Sequence, residues 1–569
     1  MSDADETFDF IIVGSGGGSM CAALVVKAMG MNPLILEKTD LFGGTTAKSG
    51  GIMWIPNNRF MKEAGVADSV EQATTYLDHV VGDHNDTPGA TRERRHTYIT
   101  RAPEMVDFLV DQGLKLRRHS YWPDYYSNAP GAVESGRTVY AELFDASVLG
   151  EARKKLRPNF VPVPVKTDEM WDLPLYKTNW GSKKTFAKVA LRMVLAKLTG
   201  KHWQPSGAAL QGRMFEKALQ AGVDMRTDAG VERILTDDCG RVTGVQARID
   251  GRERTFAARH GVLINAGGFA RNQAMRDKYQ PGTSAKWTGT CPGDTGEMIE
   301  DMMRIGAAVA QMDEMVGNQA ALPPENPDGI AFTVSEIAKP NSMVVDQSGE
   351  RYLNENQSYM SFCQQMLARD KTVGAVPSWM VFDSEYNRKY MVAGTMPGSK
   401  KPQSWFDEDF LQQGDTIEEL AQKCGIEPAR LRASVDRFNG FVRKGKDDDF
   451  GRSDSAYNRF LGDKGHKPVS SLGTIEKGPF FAYKFYPGDV GTYGGVITDT
   501  EARVLREDGS VIPGLYATGI STASVMGRAY PGAGCSVGPS FVWGYIAARH
   551  AMATANSVAD SATEASAAV

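Results

Sequence analysis

Tyrosines are concentrated in three short stretches of this chain, and such phenols could carry out acid–base chemistry. The stretches read YWPDYYSNAPG (residues 121–131), GERYLNENQSYMSF (349–362) and GRAYPGAGCSVG (527–538). A phenol can donate a hydrogen bond, but its usual pKa of ~10 is poorly matched to proton acceptance at neutral pH. In the third stretch Tyr530 stands among glycines, which let a backbone approach a ligand closely. Either these tyrosines pack in the core with satisfied hydroxyls, or they are reactive groups at a site.

The elements that would position such residues begin with a clear pattern at the N-terminus. The sequence FDFIIVGSGGGSMCAALVVKAMGMNPLILEK predicts a strand at 10–13, a glycine turn, a helix at 20–29 and a strand at 33–36 that ends at Glu37. This order is a βαβ dinucleotide fingerprint, in which a pyrophosphate sits at the helix N-terminus and the acid accepts from a ribose hydroxyl. Ser19 replaces the third glycine of the motif and is small enough to allow close helix packing.

Three further glycine stretches favour FAD over NAD. FGGTTAKSGG (42–51) follows the ribose acid, where an extended FAD needs more contacts, and GVLINAGGF (261–269) and GLYATGIS (514–521) come later. This order resembles the flavoprotein superfamily of fumarate reductase and succinate dehydrogenase, in which the late ATG strand closes the flavin site. The resemblance implies FAD contacts at Gly14, Ser15, Gly16, Gly17, Gly18, Glu37, Lys38, Gly43, Gly44, Thr45, Thr46, Ser49, Gly50, Gly51, Val231, Ala266, Gly267, Gly519, Ser536 and Val537.

The remaining patterns predict an α/β fold with an interruption. Apolar and polar residues alternate from 231 to 268 around Cys239-Gly240 and Asp250-Gly251 turns, which indicates a β-meander. We expect a Rossmann-like FAD-binding domain at 1–314, an inserted α+β substrate (catalytic) domain at 315–492, a return to the FAD-binding domain at 493–555, and a disordered tail at 556–569. Active sites commonly lie at such domain interfaces.

Composition excludes several classes of function. The net charge of -5 gives no reason to expect nucleic acid as a partner, and no CxxC, HxxxH or HExxH spacing predicts a metal site. Six scattered cysteines and an acidic start without a basic n-region predict a reducing, cytoplasmic location. The uncharged stretches 10–26 and 529–547 contain several glycines, so we interpret them as loops leading into buried helices rather than as membrane spans.

With the tyrosine stretches added, the chain resembles the 3-ketosteroid Δ1-dehydrogenase family over most of its length. The matching motifs are VGSGGG, LEKTDLFGGTTAKSGG, PDYY, RYLNE and GRAYPGAG. The resemblance implies an active site of Tyr125, Tyr359, Tyr530 and Gly534. Fumarate chemistry is disfavoured because no histidine lies between His260 and His466, and the second glycine loop has no histidine that could attach FAD covalently.

The family's reaction gives each of these residues a role by resemblance. Tyr530 and the Gly534 N–H would donate to the C3 oxygen of a 3-oxo-4-ene steroid, Tyr359 would take a proton from C2 with help from Tyr125, and FAD would receive hydride from C1. Two alternatives stay open, a 3-ketosteroid Δ4-(5α)-dehydrogenase on the same scaffold and a non-catalytic flavin-binding module. The electron acceptor and the steroid's C17 side chain also stay open.

An insertion at about 150–205 departs from shorter family members. It contains KKTFAKVALRMVLAKLTGKHW, a predicted basic amphipathic helix. The helical period places Phe186, Val189, Ala190, Met193 and Val194 on one face and Lys184, Lys188 and Arg192 on the other. We expect residues 183–201 to lie on an anionic membrane surface, which would suit a sterol such as cholest-4-en-3-one. The alternative is a helix packed on its own protein with a solvated basic face.

Overall fold

A computed structural model describes residues 4–161, 163–326 and 329–567 of the protein, with side chains as far as residue 554. Up to residue 310 the strands and helices are, in chain order, β1 (Glu6–Phe8), β2 (Phe10–Val13), α1 (Gly17–Ala28), β3 (Pro33–Leu36), α2 (Gly44–Lys48), β4 (Ile52–Trp54), α3 (Arg59–Glu63), α4 (Val70–Val80), α5 (Arg92–Asp111), β5 (Leu116–Arg118), β6 (Thr138–Ala141), β7 (Phe144–Asp145), α6 (Thr167–Met170), α7 (Trp180–Thr199), β8 (Trp203–Gln204), α8 (Ser206–Gln220), β9 (Asp224–Arg226), β10 (Ala229–Thr236), β11 (Val242–Ile249), β12 (Arg252–Ala258), β13 (Val262–Ile264), α9 (Gln273–Tyr279), α10 (Glu297–Arg304) and β14 (Val309–Ala310).

The rest of the chain adds a second group of elements. They are β15 (Met315–Ala321), β16 (Ala331–Phe332), β17 (Ser342–Val345), α11 (Tyr359–Asp370), β18 (Ser378–Phe382), α12 (Ser384–Lys389), α13 (Ser404–Asp407), β19 (Leu411–Gly414), α14 (Ile417–Cys424), α15 (Pro428–Lys444), α16 (Ala456–Leu461), β20 (Phe480–Thr492), β21 (Gly495–Val496), β22 (Arg503–Leu505), β23 (Val511–Ala517) and α17 (Val537–Ala567).

The predicted dinucleotide-binding sheet is confirmed. Its order is β22-β23-β13-β2-β3-β9, with all neighbours parallel except the edge strand β22. Strands β2 and β3 are buried along their whole length, which explains their unbroken apolar sequences. Helix α1 packs against α17 so closely that a Cβ on Gly17 would lie 2.0 Å from the ring of Phe541. The glycine is therefore needed for helix packing.

The β-meander is confirmed beside this sheet. Strands β10, β11 and β12 pair in antiparallel order, and β1 adds to β12 in parallel. One hydrophobic cluster, which includes Val245 and Phe256, joins the meander to strands β2, β3, β13 and β23. The N-terminal segment and the later strands therefore share one core, and the chain returns to it at its C-terminal end.

Residues 315–492 contain a separate sheet in which all strand pairs are antiparallel. The first and last strands of this segment, β15 and β20, pair with each other, and the sheet order is β16-β15-β20-β18-β17 with β19 also on β20. Alternate residues of β18 face opposite cores, with Trp379 and Val381 in one and Met380 and Phe382 in the other. This period of two is what a strand covered on both faces requires.

The segment predicted as a disordered tail, 556–569, begins within a long helix. Helix α17 begins at Val537 and its backbone stays helical through Ala567. Alanine, which recurs in this segment, has the highest helix propensity, so a polar composition did not prevent a helix. Among the described helices, none is long and apolar enough to cross a membrane.

Candidate active site

A single cavity of about 1790 Å³ connects the glycine loops with the tyrosine-rich stretches. Small-molecule pockets usually measure ~300–1,000 Å³, so this cavity has room for an extended dinucleotide and a second ligand. Its walls come from the dinucleotide-binding region, from the 315–492 segment and from the insertion. The cavity therefore lies where the dinucleotide-binding region, the 315–492 segment and the insertion meet.

Most of the residues predicted to bind FAD line this cavity. They are Gly14, Ser15, Gly16, Glu37, Lys38, Gly44, Thr45, Thr46, Ser49, Gly50, Val231, Ala266, Gly267, Gly519, Ser536 and Val537. Several of them carry hydroxyl or backbone groups at a turn or helix start, which is what phosphate oxygens require. Thr46 Oγ1 accepts from the Gly17 N–H at 3.3 Å, and Ser521 Oγ links the Ala266 N–H to the Gly267 carbonyl. These hydroxyls hold the loops in place.

Four of the predicted residues do not line the cavity, namely Gly17, Gly18, Gly43 and Gly51. A Cβ on Gly18 would lie 2.2 Å from the Ser540 carbonyl oxygen, and one on Gly51 would lie 2.4 Å from the backbone of Ser206. Gly43 is fixed by a hydrogen bond from its N–H to Ser15 Oγ at 2.9 Å. In this structure these glycines meet neighbouring backbone or side chains, and their contact with FAD stays a prediction.

The predicted ribose acid already has protein donors. One Glu37 carboxylate oxygen accepts from the N–H and hydroxyl of Ser15 at 3.1 and 2.6 Å, and the other accepts from the N–H and hydroxyl of Thr39 at 2.9 and 2.7 Å. A carboxylate offers about four acceptor positions, so a ribose hydroxyl would have to share one of them. Lys38 forms an ion pair with Glu297 at 2.7 Å.

The three tyrosine-rich stretches meet at the same cavity that the glycine loops line. Ring centroids are 5.4 Å apart for Tyr125 and Tyr359, 5.1 Å for Tyr359 and Tyr530, and 5.9 Å for Tyr125 and Tyr530. All three residues line the cavity together with Gly534. Tyr530 also shares a hydrogen bond of 3.0 Å with Ser536 Oγ. The structure therefore brings all four predicted active-site residues to one place.

The loop that carries Tyr530 requires glycine at position 534. Gly534 has a φ of +93°, and a Cβ there would lie 2.3 Å from the Ile52 carbonyl oxygen. Among the described residues, the Gly534 N–H donates to no protein acceptor. Buried backbone N–H groups normally have a partner, so this N–H on the cavity wall is available to a ligand.

The active-site tyrosines are ordinarily protonated in this environment. Burial raises the pKa of Tyr530 to about 12. Burial also raises the pKa of Tyr359 well above its usual value, and the neighbouring Tyr125 and Tyr530 raise it further. The neighbouring tyrosines, while they are neutral, therefore do not lower the pKa of Tyr359. Tyr359 is, however, the first residue of α11, and the positive end of a helix dipole favours an anion there.

Two further tyrosines, which the sequence analysis missed, belong to the cluster. Tyr457 stacks on Tyr125 at 4.2 Å and lines the cavity, and Tyr493 lies 6.1 Å from Tyr530. Tyr493 stands in the sequence GTYGG, where a tyrosine among glycines was a usable signal. Tyr457 is the second residue of the short helix α16, and no local pattern marks it.

Comparisons with known proteins agree with this geometry. The profile of the family described as FAD binding domain matches residues 9–537. The 3-oxosteroid 1-dehydrogenase of Mycolicibacterium smegmatis is 37% identical over 568 residues, which cover 97% of this chain and 98% of the relative. The chain belongs to the family of FAD-dependent 3-oxosteroid 1-dehydrogenases.

Solved structures extend the comparison. The 3-ketosteroid Δ1-dehydrogenase of Sterolibacterium denitrificans, in complex with 1,4-androstadiene-3,17-dione, has a TM-score of 0.90 and 34% identity and covers 96% of this chain and 100% of that chain. The 3-ketosteroid-Δ4-(5α)-dehydrogenase of Rhodococcus jostii RHA1 has a TM-score of 0.66 and 21% identity, covering 97% and 98%. The second likeness shows the fold alone.

The cavity of this 3-oxosteroid 1-dehydrogenase family member fits FAD. The cavity wall at the glycine turn before α1 has no room for a larger residue. A Cβ on Gly16 would lie only 3.1 Å from the Asn265 side chain, so glycine keeps this part of the wall open. None of the described residues that line the cavity is a histidine, the residue by which relatives attach FAD covalently. The described part of the chain has no cluster of three His, Cys, Asp or Glu residues that could hold a metal ion.

Proposed function

We propose that this protein introduces the C1–C2 double bond into ring A of 3-oxo-4-ene steroids. The observation that carries the proposal is the pair of donors on the Tyr530–Gly534 loop, one phenolic hydroxyl and one backbone N–H without a protein partner, both on the wall of the same cavity as Tyr359. Two donors aimed at one oxygen stabilise the enolate that forms when a carbon next to a ketone loses its proton.

Each residue of the cluster then has a defined task. Tyr530 and the Gly534 N–H donate to the C3 oxygen, and the phenolate of Tyr359 takes the C2 proton as the C1–C2 double bond forms. The ring of Tyr125 contacts the rings of both other tyrosines, so its hydroxyl would donate to Tyr359 once Tyr359 is a phenolate. Bound FAD would supply the acceptor for the hydride that leaves C1. The apolar cavity walls exclude water from the enolate.

The base needs help to ionise, because burial raises the pKa of Tyr359 well above its usual value. Helix α11, which begins at Tyr359 and has 12 residues, supplies part of this help through its N-terminal dipole. The hydrogen bonds to the C3 oxygen act at the next step, because they stabilise the charge that develops on that oxygen as the C2 proton leaves. The reaction is accordingly expected to speed up with rising pH.

Product analysis separates this proposal from desaturation at C4 and C5. A 3-oxo-4-ene steroid already has the C4–C5 double bond, so a Δ4-(5α)-dehydrogenase has no hydrogens to remove from it. Turnover of 4-androstene-3,17-dione with an artificial electron acceptor is expected to give the 1,4-diene. Turnover of only the 5α-saturated ketone, to a 4-ene product, would overturn the proposal in favour of the Δ4 alternative.

We further propose that FAD is held without a covalent bond. The support is the lack of histidine among the described cavity-lining residues and the reliance of the cradle on hydroxyl and backbone groups. Acid precipitation of the yellow protein is expected to release all of the flavin into the supernatant. Flavin that stays on the precipitated polypeptide after washing would contradict this assignment.

Helix α7 supports a proposal that the protein docks peripherally on anionic membranes, but through a different face from the one predicted. Phe186, Val189, Ala190 and Met193, predicted to face lipid, line the cavity instead. Arg192, predicted on the headgroup side, is mostly buried and forms a two-pronged ion pair with Glu169 at 2.8 and 3.0 Å. This ion pair and the cavity contacts favour a docking face other than the predicted one, although Phe186 and Met193 are also 38% and 43% exposed.

The outward face of α7 carries an apolar patch among lysines. Exposed side chains recur there at helical spacing, namely Trp180, Leu191, Val194, Leu195 and Leu198. Lys183, Lys184 and Lys197 are exposed beside them. An apolar patch with cations at its edge fits the interface of an anionic bilayer, where each basic residue contributes about 1 kcal/mol. The opposite face lines the cavity, so one helix would separate lipid from substrate.

Liposome binding tests the docking proposal. The protein is expected to bind vesicles that contain anionic lipid, to be released by salt, and to lose binding when Lys183, Lys184 and Lys197 become glutamate. A control with the same number of reversals at the exposed Lys62, Lys115 and Lys371 is expected to keep binding. Equal loss in both variants, or no loss in the first, would leave α7 as an ordinary surface helix.

A further inference from the structure

We infer that the hydroxyl of Tyr76 is a positioning group for the proposed reaction. Tyr76 lies in α4, outside the three tyrosine-rich stretches, and its side chain is fully buried. The hydroxyl donates to the Pro531 carbonyl oxygen at 2.6 Å and accepts from the Tyr126 N–H at 3.3 Å. Tyr76 does not line the cavity, so it acts through the backbone. The inference rests on the proposed function.

These two bonds join the backbones that carry two of the active-site tyrosines. Pro531 directly follows Tyr530, and Tyr126 directly follows Tyr125. The Tyr125 N–H donates to the same Pro531 carbonyl at 2.9 Å, so both acceptor positions of that oxygen are used. Tyr76, Pro531 and the 125–126 backbone thus form a closed junction. The junction fixes the spacing between the ring of Tyr125 and the ring of Tyr530, whose centroids are 5.9 Å apart.

The third active-site tyrosine is connected to the same junction through Tyr126. Its hydroxyl shares a hydrogen bond of 2.7 Å with Ser361 Oγ, and Ser361 lies in α11 two residues after Tyr359. The junction therefore fixes the relative positions of three parts of the site. They are the loop that carries Tyr530, the segment that carries Tyr125 and the helix that begins at Tyr359. Misplacement of reacting groups by about 1 Å can cost ~10²-fold in rate.

The test compares Tyr76→Phe with a matched loss of hydroxyl elsewhere. Tyr76→Phe keeps the ring and leaves the Tyr126 N–H without an acceptor, which is costly in a buried site. Tyr386 is also fully buried, and its hydroxyl bonds two carbonyl oxygens, those of Glu336 at 2.9 Å and Met391 at 3.0 Å, outside the junction. Tyr386→Phe therefore controls for a general loss of buried hydrogen bonds.

The readout is the rate constant at which 4-androstene-3,17-dione bleaches the flavin anaerobically in FAD-loaded protein. This rate constant does not depend on how much of the sample is folded. Tyr76→Phe is expected to lower it by ~10²-fold, to leave the steroid Kd within about threefold, and to shift the pH at which bleaching accelerates. Tyr386→Phe is expected to change none of the three beyond about twofold.

Two results would overturn the inference. One is a bleaching rate constant of Tyr76→Phe equal to that of the wild type, and the other is a bleaching rate constant that Tyr386→Phe lowers as much as Tyr76→Phe does. If Tyr76→Phe retains no FAD, Ser361→Ala takes its place, because it frees the Tyr126 hydroxyl from α11. It is expected to slow bleaching in the same direction, and an unchanged rate would count against the junction. Wild-type flavin that no 3-oxo-4-ene steroid bleaches would contradict the proposed function instead.

Discussion

The tyrosine pocket and helix α7 both gather aromatic or aliphatic side chains, but the protein covers only the first. Tyr530 is 3% exposed and is surrounded by rings from three other parts of the chain, whereas Leu198 of α7 is 76% exposed. In the pocket, long-range contacts determine where each hydroxyl lies. On the outward face of α7, the described residues provide no such contacts.

Because of this difference, we expect substitutions in the two regions to have separate effects. Changes in the pocket are expected to alter chemistry while leaving membrane attachment intact, because the pocket side chains do not reach the surface. Changes on the outer face of α7 are expected to alter attachment while leaving the turnover of dissolved steroids intact. A pocket variant that alters membrane attachment, or an outer-face variant that alters turnover of dissolved steroids, would show that the two regions are coupled through α7.

The largest expected effect is the loss of the proton acceptor. Tyr359→Phe removes one hydroxyl and little volume, so flavin and steroid are expected to remain bound while turnover falls by at least ~10³-fold. Steady-state turnover, flavin content and steroid binding are the measurements. Near-normal turnover would show that another residue takes the C2 proton.

Loss of one enolate donor is expected to cost less. Tyr530→Phe leaves the Gly534 N–H in place and is expected to slow turnover by roughly 10²–10³-fold, with vesicle binding unchanged. A combined Tyr359→Phe and Tyr530→Phe variant is expected to be little worse than Tyr359→Phe alone, since both groups act in one step. Turnover by Tyr530→Phe within about threefold of the wild type would remove Tyr530 from the donor pair, given what one such donor contributes.

The pH dependence is expected to follow the buried base. A proton acceptor must be deprotonated, and burial raises the pKa of Tyr359 above its usual value, so its reactive fraction is small at pH 7. The kcat/KM is therefore expected to rise about tenfold per pH unit on the alkaline side of neutrality. Tyr530, with a pKa raised to about 12, stays protonated as a donor over this range. A rate that is flat between pH 7 and 9 would contradict the phenol as base.

The smallest expected effect lies on α7. Leu195→Ala, at an exposed position, is expected to change stability by less than about 0.5 kcal/mol and to leave turnover of a dissolved steroid unchanged. Gly17→Ala in the buried helix α1 is the contrast, because its Cβ would meet the Phe541 ring at 2.0 Å. Overpacking of this kind costs ~1–3 kcal/mol. Thermal midpoints of the two variants test the comparison, and equal shifts would refute it.

The sequence predicted the parts of the molecule that depend on local patterns. The strands at 10–13 and 33–36 and the meander were predictable because buried strands and turns leave a regular alternation. The meeting of Tyr125, Tyr359 and Tyr530 was predictable only through a family resemblance, since these residues come from distant parts of the chain. Tyr457 was missed for the same reason.

The orientation of α7 could not be predicted from its sequence. The helical period showed correctly that Phe186, Val189, Ala190 and Met193 share a face, but a period does not say what covers that face. The answer depended on Glu169, which lies outside the helix and binds Arg192 and Lys188. Similarly, the sequence marked Glu37 as an acceptor but not that Ser15 and Thr39 already donate to it.

Anaerobic mixing of the yellow protein with 4-androstene-3,17-dione tests the central claim most directly. This steroid has no hydrogens to lose between C4 and C5, so any transfer to the flavin reports attack at C1 and C2. We expect the flavin absorbance to bleach in a single turnover and an equal amount of 1,4-androstadiene-3,17-dione to form. An unbleached flavin in protein that demonstrably binds the steroid would contradict the account.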